Sequence, residues 1–191
     1  MPTMQILLVD RGTAMVRAWR DAFADRDDVE VIEDDYFARS AGAMVSPANS
    51  FGIMDGGLDA AIRDQLGFAI QQRVQRAIVE RHHGELPVGA AELIETGDTR
   101  WPVLVVAPTM RIPESVAQTL NAYLAFRAIV LACRRASIAS VVCCGLGTGI
   151  GGMEPRRAAV QMRIALLHAS GPARIPSFDQ IHAAHRALRT A

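Results

Sequence analysis

Residues 137–155 read SIASVVCCGLGTGIGGMEP, and this stretch holds the pattern from which the fold is inferred. The apolar run over 137–145 predicts a buried strand, and Pro155 suits the first turn of a following helix. Five glycines lie between positions 145 and 152. Glycine permits positive φ and close approach of a ligand, and successive N–H groups before a helix attract phosphate. The stretch predicts a strand, an anion-binding loop and a helix.

A second stretch repeats this arrangement earlier in the chain. The run AGAMVSPA (41–48) predicts a strand, and SPANSFGIMDGGLD (46–59) follows it with a glycine pair at Gly56 and Gly57. A helix is predicted from Leu58 to about His82, divided near Gly67. Two such loops at the carboxyl ends of parallel strands converge on one crevice. A ligand with two phosphates is the natural occupant of that crevice.

The remaining chain alternates strands and helices. Further strands are predicted over 5–10, 29–33, 90–97 and 103–109, and helices over the Met15–Phe23 region, from Ser115 to about Arg135, and after Pro155. The second of these helices is expected to turn Val116, Leu120, Tyr123, Leu124 and Leu131 inward. The order predicts a three-layer α/β/α fold with a mixed, largely parallel sheet. We expect one domain over 1–170, with residues 171–191 forming a connector and a short C-terminal helix packed on it.

Composition restricts the classes of function. The chain has 191 residues, zero formal net charge and no lysine, so lysine-based catalysis is excluded. No apolar run reaches the roughly 18 residues of a membrane span, and no signal peptide precedes the first strand, which predicts a cytoplasmic protein without membrane association. The charge balance supplies no basic surplus for non-specific nucleic-acid binding.

The cysteines suggest a metal site or a phosphatase, and one glycine motif suggests a dinucleotide-binding fold, but other features of the sequence argue against each. Cys133, Cys143 and Cys144 lack metal-ligand spacing, and a phosphatase nucleophile at Cys144 would need arginine where Ile150 stands. We therefore predict no metal site and no cofactor. Residues 147–152 satisfy G-x-G-x-x-G, which suggests a dinucleotide-dependent oxidoreductase. That motif normally lies at the first strand–helix junction, with an acidic residue about 20 positions later, and residues 167–175 contain no acid.

Three segments resemble the macro domain family. VSPANSFGIMDGGLDAAIRDQLG (45–67) is similar to the family's first ligand loop, V-N-A-A-N followed by G-G-G-V-D-G-A-I-H and A-A-G. CGLGTGIGGMEPRRAA (144–159) is similar to the second loop, I-S-T-G-I-Y-G-Y-P, and VEVIEDDYF (29–37) to the segment ending in G-D-I-T. The resemblance covers about residues 29–165 in the family's order.

The resemblance implies an α/β/α module that binds ADP-ribose or an ADP-ribosylated substrate. Asp35 would accept from the adenine amino group and the Tyr36 backbone would line the adenine pocket. Asn49 would bind the distal ribose, and the two glycine loops would hold the diphosphate. The implied ligand-binding residues are Asp35, Tyr36, Ala48, Asn49, Gly56, Gly57, Leu58, Leu146, Gly147, Thr148, Gly149, Ile150, Gly151 and Met153.

The resemblance further implies hydrolysis, with Asn49 and Asp59 as the catalytic residues. Asp59 matches the aspartate that helps to activate water at the distal ribose. Two alternatives stay open: Asp59 only stabilises the first turn of a helix, and the chain binds ADP-ribose without turnover.

The chain departs from the family pattern at four positions. Ser46, Pro47 and Asp55 replace Asn, Ala and Gly of the first loop, and Gly151 replaces an aromatic residue of the second. Phe51 or Met153 would then supply the apolar wall of the distal ribose site.

Overall fold

The computed structural model describes residues 4–190. The strands are β1 (Gln5–Asp10), β2 (Val29–Glu33), β3 (Ala43–Ser46), β4 (Glu92–Glu95), β5 (Val103–Val106) and β6 (Ser140–Cys143). The helices are α1 (Thr13–Ala22), α2 (Gly57–Leu66), α3 (Ala69–His82), α4 (Asn121–Arg135), α5 (Pro155–Ser170) and α6 (Phe178–Thr190). A short 3₁₀ turn covers Tyr36–Ala38.

The six described strands form one sheet in the order β2-β1-β6-β3-β5-β4. The first five pair in parallel, and β4 joins the edge antiparallel to β5. This confirms the predicted mixed, largely parallel sheet. Because β1, β6 and β3 are parallel neighbours, their carboxyl ends lie side by side at one end of the sheet, where ligands bind in open α/β folds.

Helices cover the sheet in two layers. Helix α5 packs against both α1 and α4, while α2 and α3 pack together and against β3 and β4. The apolar core between the layers includes Trp19, Trp101 and Phe126, all fully buried. The predicted three-layer α/β/α fold is therefore confirmed, and the division near Gly67 is also present, since this glycine ends α2 with φ of 91°.

Helix α4 differs from its prediction. It begins at Asn121, six residues after the predicted Ser115, because Val116 donates its N–H to Gly151 O instead of starting a helix. The predicted inward face is wrong for Leu124, which is exposed. Starting at Asn121, the helix buries a different face, formed by Ala122, Ala125, Phe126, Ile129, Val130 and Cys133.

The C-terminal helix α6 contacts α5 and is exposed along most of its length. Leu188 is its buried residue, and the Arg157 guanidinium donates to Arg189 O at 3.1 Å. A cation at the carboxyl end of a helix is favourable because it faces unpaired carbonyls. No helix among residues 4–190 is long and apolar enough to cross a membrane.

Candidate functional site

A crevice of about 240 Å³ opens at the carboxyl ends of the parallel strands. One wall is the loop after β3, residues 47–56, which we call loop 1; the other is the loop after β6, residues 144–154, which we call loop 2. Its lining residues are Asp10, Pro47, Ala48, Asn49, Ile53, Asp55, Gly56, Gly57, Leu58, Asp59, Thr109, Met110, Pro113, Cys144, Gly145, Gly147, Thr148, Gly149, Ile150 and Gly151. The two glycine-rich stretches therefore face one another, as the sequence predicts.

Loop 1 is shaped by the side chain of Asn49. Its Oδ1 accepts from the N–H groups of Phe51 and Ile53, at 3.1 and 3.3 Å, and its Nδ2 donates to Ile53 O at 2.7 Å. These bonds hold residues 49–53 in a compact turn, and Gly56 and Gly57 follow it at the amino end of α2. Gly57 has φ of 56°, a conformation that favours glycine.

Loop 2 is folded on itself and fixed to the segment before α4. Gly147 O accepts from Met153 N at 2.9 Å, and Gly151 O accepts from Val116 N at 2.8 Å. A Cβ on Gly151 would lie 2.5 Å from Val116 Cγ2 and 2.6 Å from Gly147 O. The aromatic residue of the family pattern therefore has no room at position 151 in this loop.

Asp59 lies on the floor of the crevice, in the first turn of α2. Only 8% of the residue is exposed, and Ser46 Oγ, at the end of β3, donates to Asp59 Oδ1 at 2.6 Å. Burial raises the pKa of Asp59 to about 6, against the opposing effect of the Ser46 hydrogen bond. Ser46, a departure from the family pattern, is thus the partner of the candidate catalytic carboxylate. A carboxylate with this pKa can exchange a proton near neutral pH.

The sequence matches the macro domain family over residues 45–162, which is more than half of the chain. This chain is a macro domain protein. It is 30% identical over 135 residues to an uncharacterized protein of Aquifex aeolicus, covering 71% of this chain and 78% of that protein.

Two solved macro domain structures share the fold. The macrodomain of Mycobacterium tuberculosis DarG superposes with a TM-score of 0.61 at 19% identity, over 70% of this chain and 86% of that one. Thermosipho africanus DarTG in complex with ADP-ribose gives 0.60 at 20% identity, over 81% of this chain and 44% of that longer chain. At these identities the likeness establishes the shared fold.

Most of the predicted ligand-binding residues of this macro domain come together, and four do not line the crevice. The Tyr36 side chain is buried, and its hydroxyl donates to the carbonyls of Val45 and Val142. Leu146 and Met153, both in loop 2, are also buried and pack into the hydrophobic core. Asp35 starts the 3₁₀ turn, accepting from Phe37 N at 2.7 Å and pairing with Arg11. Met153 is therefore a core residue of loop 2 and does not form a crevice wall.

Several lining residues were not predicted from the sequence. Asp10 ends the apolar run QILLVD, so its position at a strand end was a usable signal once that strand was placed in the sheet. Thr109, Met110 and Pro113 follow β5, and their segment meets loop 1 through a bridge between Met110 and Asn49. No local pattern marks these three residues, because the pairing of distant loops places them.

The electrostatics of the crevice favour backbone recognition of an anion. Asp10, Asp55 and Asp59 line it, and within residues 4–190 no arginine or histidine does. A bound diphosphate would therefore rely on the amides of loops 1 and 2 and on the positive amino ends of α2 and α5.

The raised pKa of Asp59 predicts a specific dependence of stability on pH. Because the carboxyl binds its proton more tightly in the folded chain, this stabilisation is complete below about pH 4 and is lost as pH rises through about 6. The difference is on the order of 3 kcal/mol. Urea unfolding of the wild type and Asp59→Asn should show that the variant gains relative stability between pH 4 and 7. A constant difference would contradict the burial effect.

Proposed function

We propose that this macro domain binds ADP-ribose in the crevice and hydrolyses it from a mono-ADP-ribosylated or acylated carrier. The observation that carries the proposal is Asp59, a buried carboxylate with a pKa of about 6 on the floor of a crevice between two glycine loops. DarTG of Thermosipho africanus, which shares the fold, is described in complex with ADP-ribose. We also propose that the protein is cytoplasmic and that its macro domain ends with α5.

The diphosphate would lie between the loops. Gly56, Gly57 and Leu58 offer amides from the amino end of α2, and residues 146–150 of loop 2 would enclose the phosphates from the other side. Ile150 spans the opening, since its Cδ1 lies 4.0 and 3.9 Å from where a Cβ on Gly56 or Gly57 would be. This contact would hold the two loops together over a bound diphosphate.

Asp59 would act as the general base. It accepts a proton from water as the water oxygen bonds to the anomeric carbon of the distal ribose, and the bond from that carbon to the carrier breaks with the electron pair leaving on the carrier. Ser46 holds the carboxylate through Oδ1. Within residues 4–190, the other oxygen, Oδ2, has no hydrogen-bond partner and can accept the proton.

A binding module without turnover is the second candidate, and Asn49 favours it. The side-chain amide of Asn49 already bonds three backbone groups of its own loop. This leaves one amide hydrogen for a substrate, so Asn49 acts more as a support of loop 1 than as a free catalytic group. Binding of the ADP-ribose diphosphate by loop amides does not require a free Asn49 side chain. Orientation of a substrate by Asn49 during hydrolysis does require one.

Calorimetric titration with ADP-ribose and with NAD tests the binding proposal. We expect ADP-ribose to bind and NAD to bind at least about tenfold more weakly, because the nicotinamide occupies the space of the distal ribose hydroxyl. A preference for NAD without ADP-ribose binding would favour the oxidoreductase alternative and overturn the proposal. Release of ADP-ribose from a mono-ADP-ribosylated protein then separates the hydrolase from the binding module.

Ser46→Ala should change the pH dependence of turnover. Without the Ser46 hydrogen bond, the pKa of Asp59 rises further and the base form is lost at higher pH. We expect the rate to fall about tenfold at pH 6 and less than about twofold at pH 8. Ser46→Thr, which keeps the hydroxyl, is the matched control and should restore the profile. An equal loss at both pH values would indicate damage to the fold instead of a shifted pKa.

A further inference from the structure

Asp10 is a crevice-lining carboxylate for which the proposed hydrolysis gives no role. It is the last residue of β1, the strand next to β6, and lies outside residues 45–162 that match the family. Its Oδ1 accepts from Gly12 N at 2.7 Å. Its Oδ2 would lie 3.3 Å from a Cβ on Gly145, so it borders loop 2. Within the described chain, Oδ2 has no hydrogen-bond partner.

Asp35, which follows β2 beside β1, is already engaged. One oxygen accepts from Phe37 N and the other pairs with Arg11, and the residue is not part of the crevice lining. Asp10 therefore has an accepting oxygen at the crevice wall, whereas both oxygens of Asp35 serve the protein itself.

The sheet order indicates which half of a ligand would reach Asp10. Strand β6 lies between β1 and β3, so loop 2 separates Asp10 from Asp59. With the distal ribose at Asp59 and the phosphates between the loops, the nucleoside half extends toward β1. Cys144 is close enough to feel the charge of both carboxylates. Burial is the main cause of the raised pKa of this thiol, and the charges of Asp59 and then Asp10 raise that pKa further.

We propose that Asp10 accepts hydrogen bonds from the ribose hydroxyls of the nucleoside half, and this proposal rests on the proposed nucleotide binding. A carboxylate beside a diphosphate repels it, and an accepting contact with a neutral diol offsets that repulsion because charge-assisted hydrogen bonds are the stronger kind. The ribose is favoured over the base because Asp10 borders loop 2, and the ribose is the group joined directly to the phosphate.

The test compares ADP, 2′,3′-dideoxy-ADP and IDP by calorimetry on the wild type, Asp10→Ala and Asp10→Asn. We expect the wild type to prefer ADP over the dideoxy nucleotide by about tenfold or more. Asp10→Ala should reduce this preference to within about twofold, and Asp10→Asn to an intermediate value, since a neutral amide bonds more weakly. The preference for ADP over IDP should stay the same in all three proteins.

Asp55→Asn is the matched control, because it removes the same charge from the opposite wall. It should keep the preference for ADP over dideoxy-ADP. The proposal is overturned if Asp10→Ala retains that preference, binds ADP more tightly, or loses discrimination against IDP instead. A wild type that binds ADP but not ADP-ribose contradicts the proposed function while still testing Asp10, and one that binds no nucleotide overturns both.

Discussion

Asp59→Asn should abolish hydrolysis while leaving ADP-ribose binding nearly intact. The substitution keeps the size of the side chain but removes the group that takes a proton from water, and general bases typically contribute about 10²–10⁴ in rate. We expect release of ADP-ribose from a mono-ADP-ribosylated protein to fall by at least about a hundredfold under single-turnover conditions. The dissociation constant for ADP-ribose should change by less than about threefold, because the diphosphate amides are unchanged.

The control for this prediction lies in the same segment. Asp55 also lines the crevice but is exposed, so Asp55→Asn makes an identical charge change away from the buried Ser46–Asp59 pair. Its turnover should stay within about threefold of the wild type. Equal rates for Asp59→Asn and the wild type would show that Asp59 is not the base and would leave the binding module as the function.

Gly151→Ala is expected to have the largest effect on ligand affinity. Its new Cβ would overlap both Val116 Cγ2 and the backbone oxygen of Gly147, at 2.5 and 2.6 Å. The Gly147 oxygen is held by Met153 N, so loop 2 must move as a unit. We expect a stability loss of about 1–3 kcal/mol in urea unfolding. ADP-ribose affinity should fall by more than about tenfold in calorimetry, since displaced amides no longer converge on the phosphates.

Two further variants test this explanation. A Cβ on Gly149 meets no atom within 4 Å, so Gly149→Ala should change stability by less than about 0.5 kcal/mol. Adding Val116→Ala to Gly151→Ala removes one of the two overlaps and should restore part of the stability. If Gly151→Ala binds ADP-ribose as the wild type does, loop 2 adapts to the side chain and the steric account of position 151 is wrong.

Much of the fold was predictable because its signals are local. The apolar runs of β1 and β5, the proline at the start of α5 and the glycine that ends α2 each restrict the backbone directly. The start of α4 was not predictable in this way. Val116 fits the apolar period of that helix, but its N–H bonds to Gly151 O, 35 positions further along the chain, and no pattern within 115–135 contains that partner.

In the candidate site, too, local patterns identified some residues and long-range contacts decided the role of others. Gly56, Gly57 and the glycines of loop 2 were identified because glycine-rich strand–helix junctions carry their own signature. Residue pattern alone did not distinguish Asp35 from Asp10, since each is an aspartate at the end of a predicted strand, and only the family resemblance selected Asp35. Their difference depends on Arg11, which pairs with Asp35, and on the sheet order, which turns the end of β1 toward loop 2.

The sequence by itself determined the α/β/α architecture, the two glycine loops and the family, because hydrophobic periodicity and glycine placement act through neighbouring residues. Only the tertiary structure decided that Ser46 bonds to Asp59, that Asp59 is buried with a raised pKa, and that position 151 has no space for a side chain. Each of these depends on atoms from segments far apart in the chain. Desolvation, hydrogen bonding and steric overlap act through distance in space, which the order of residues does not contain.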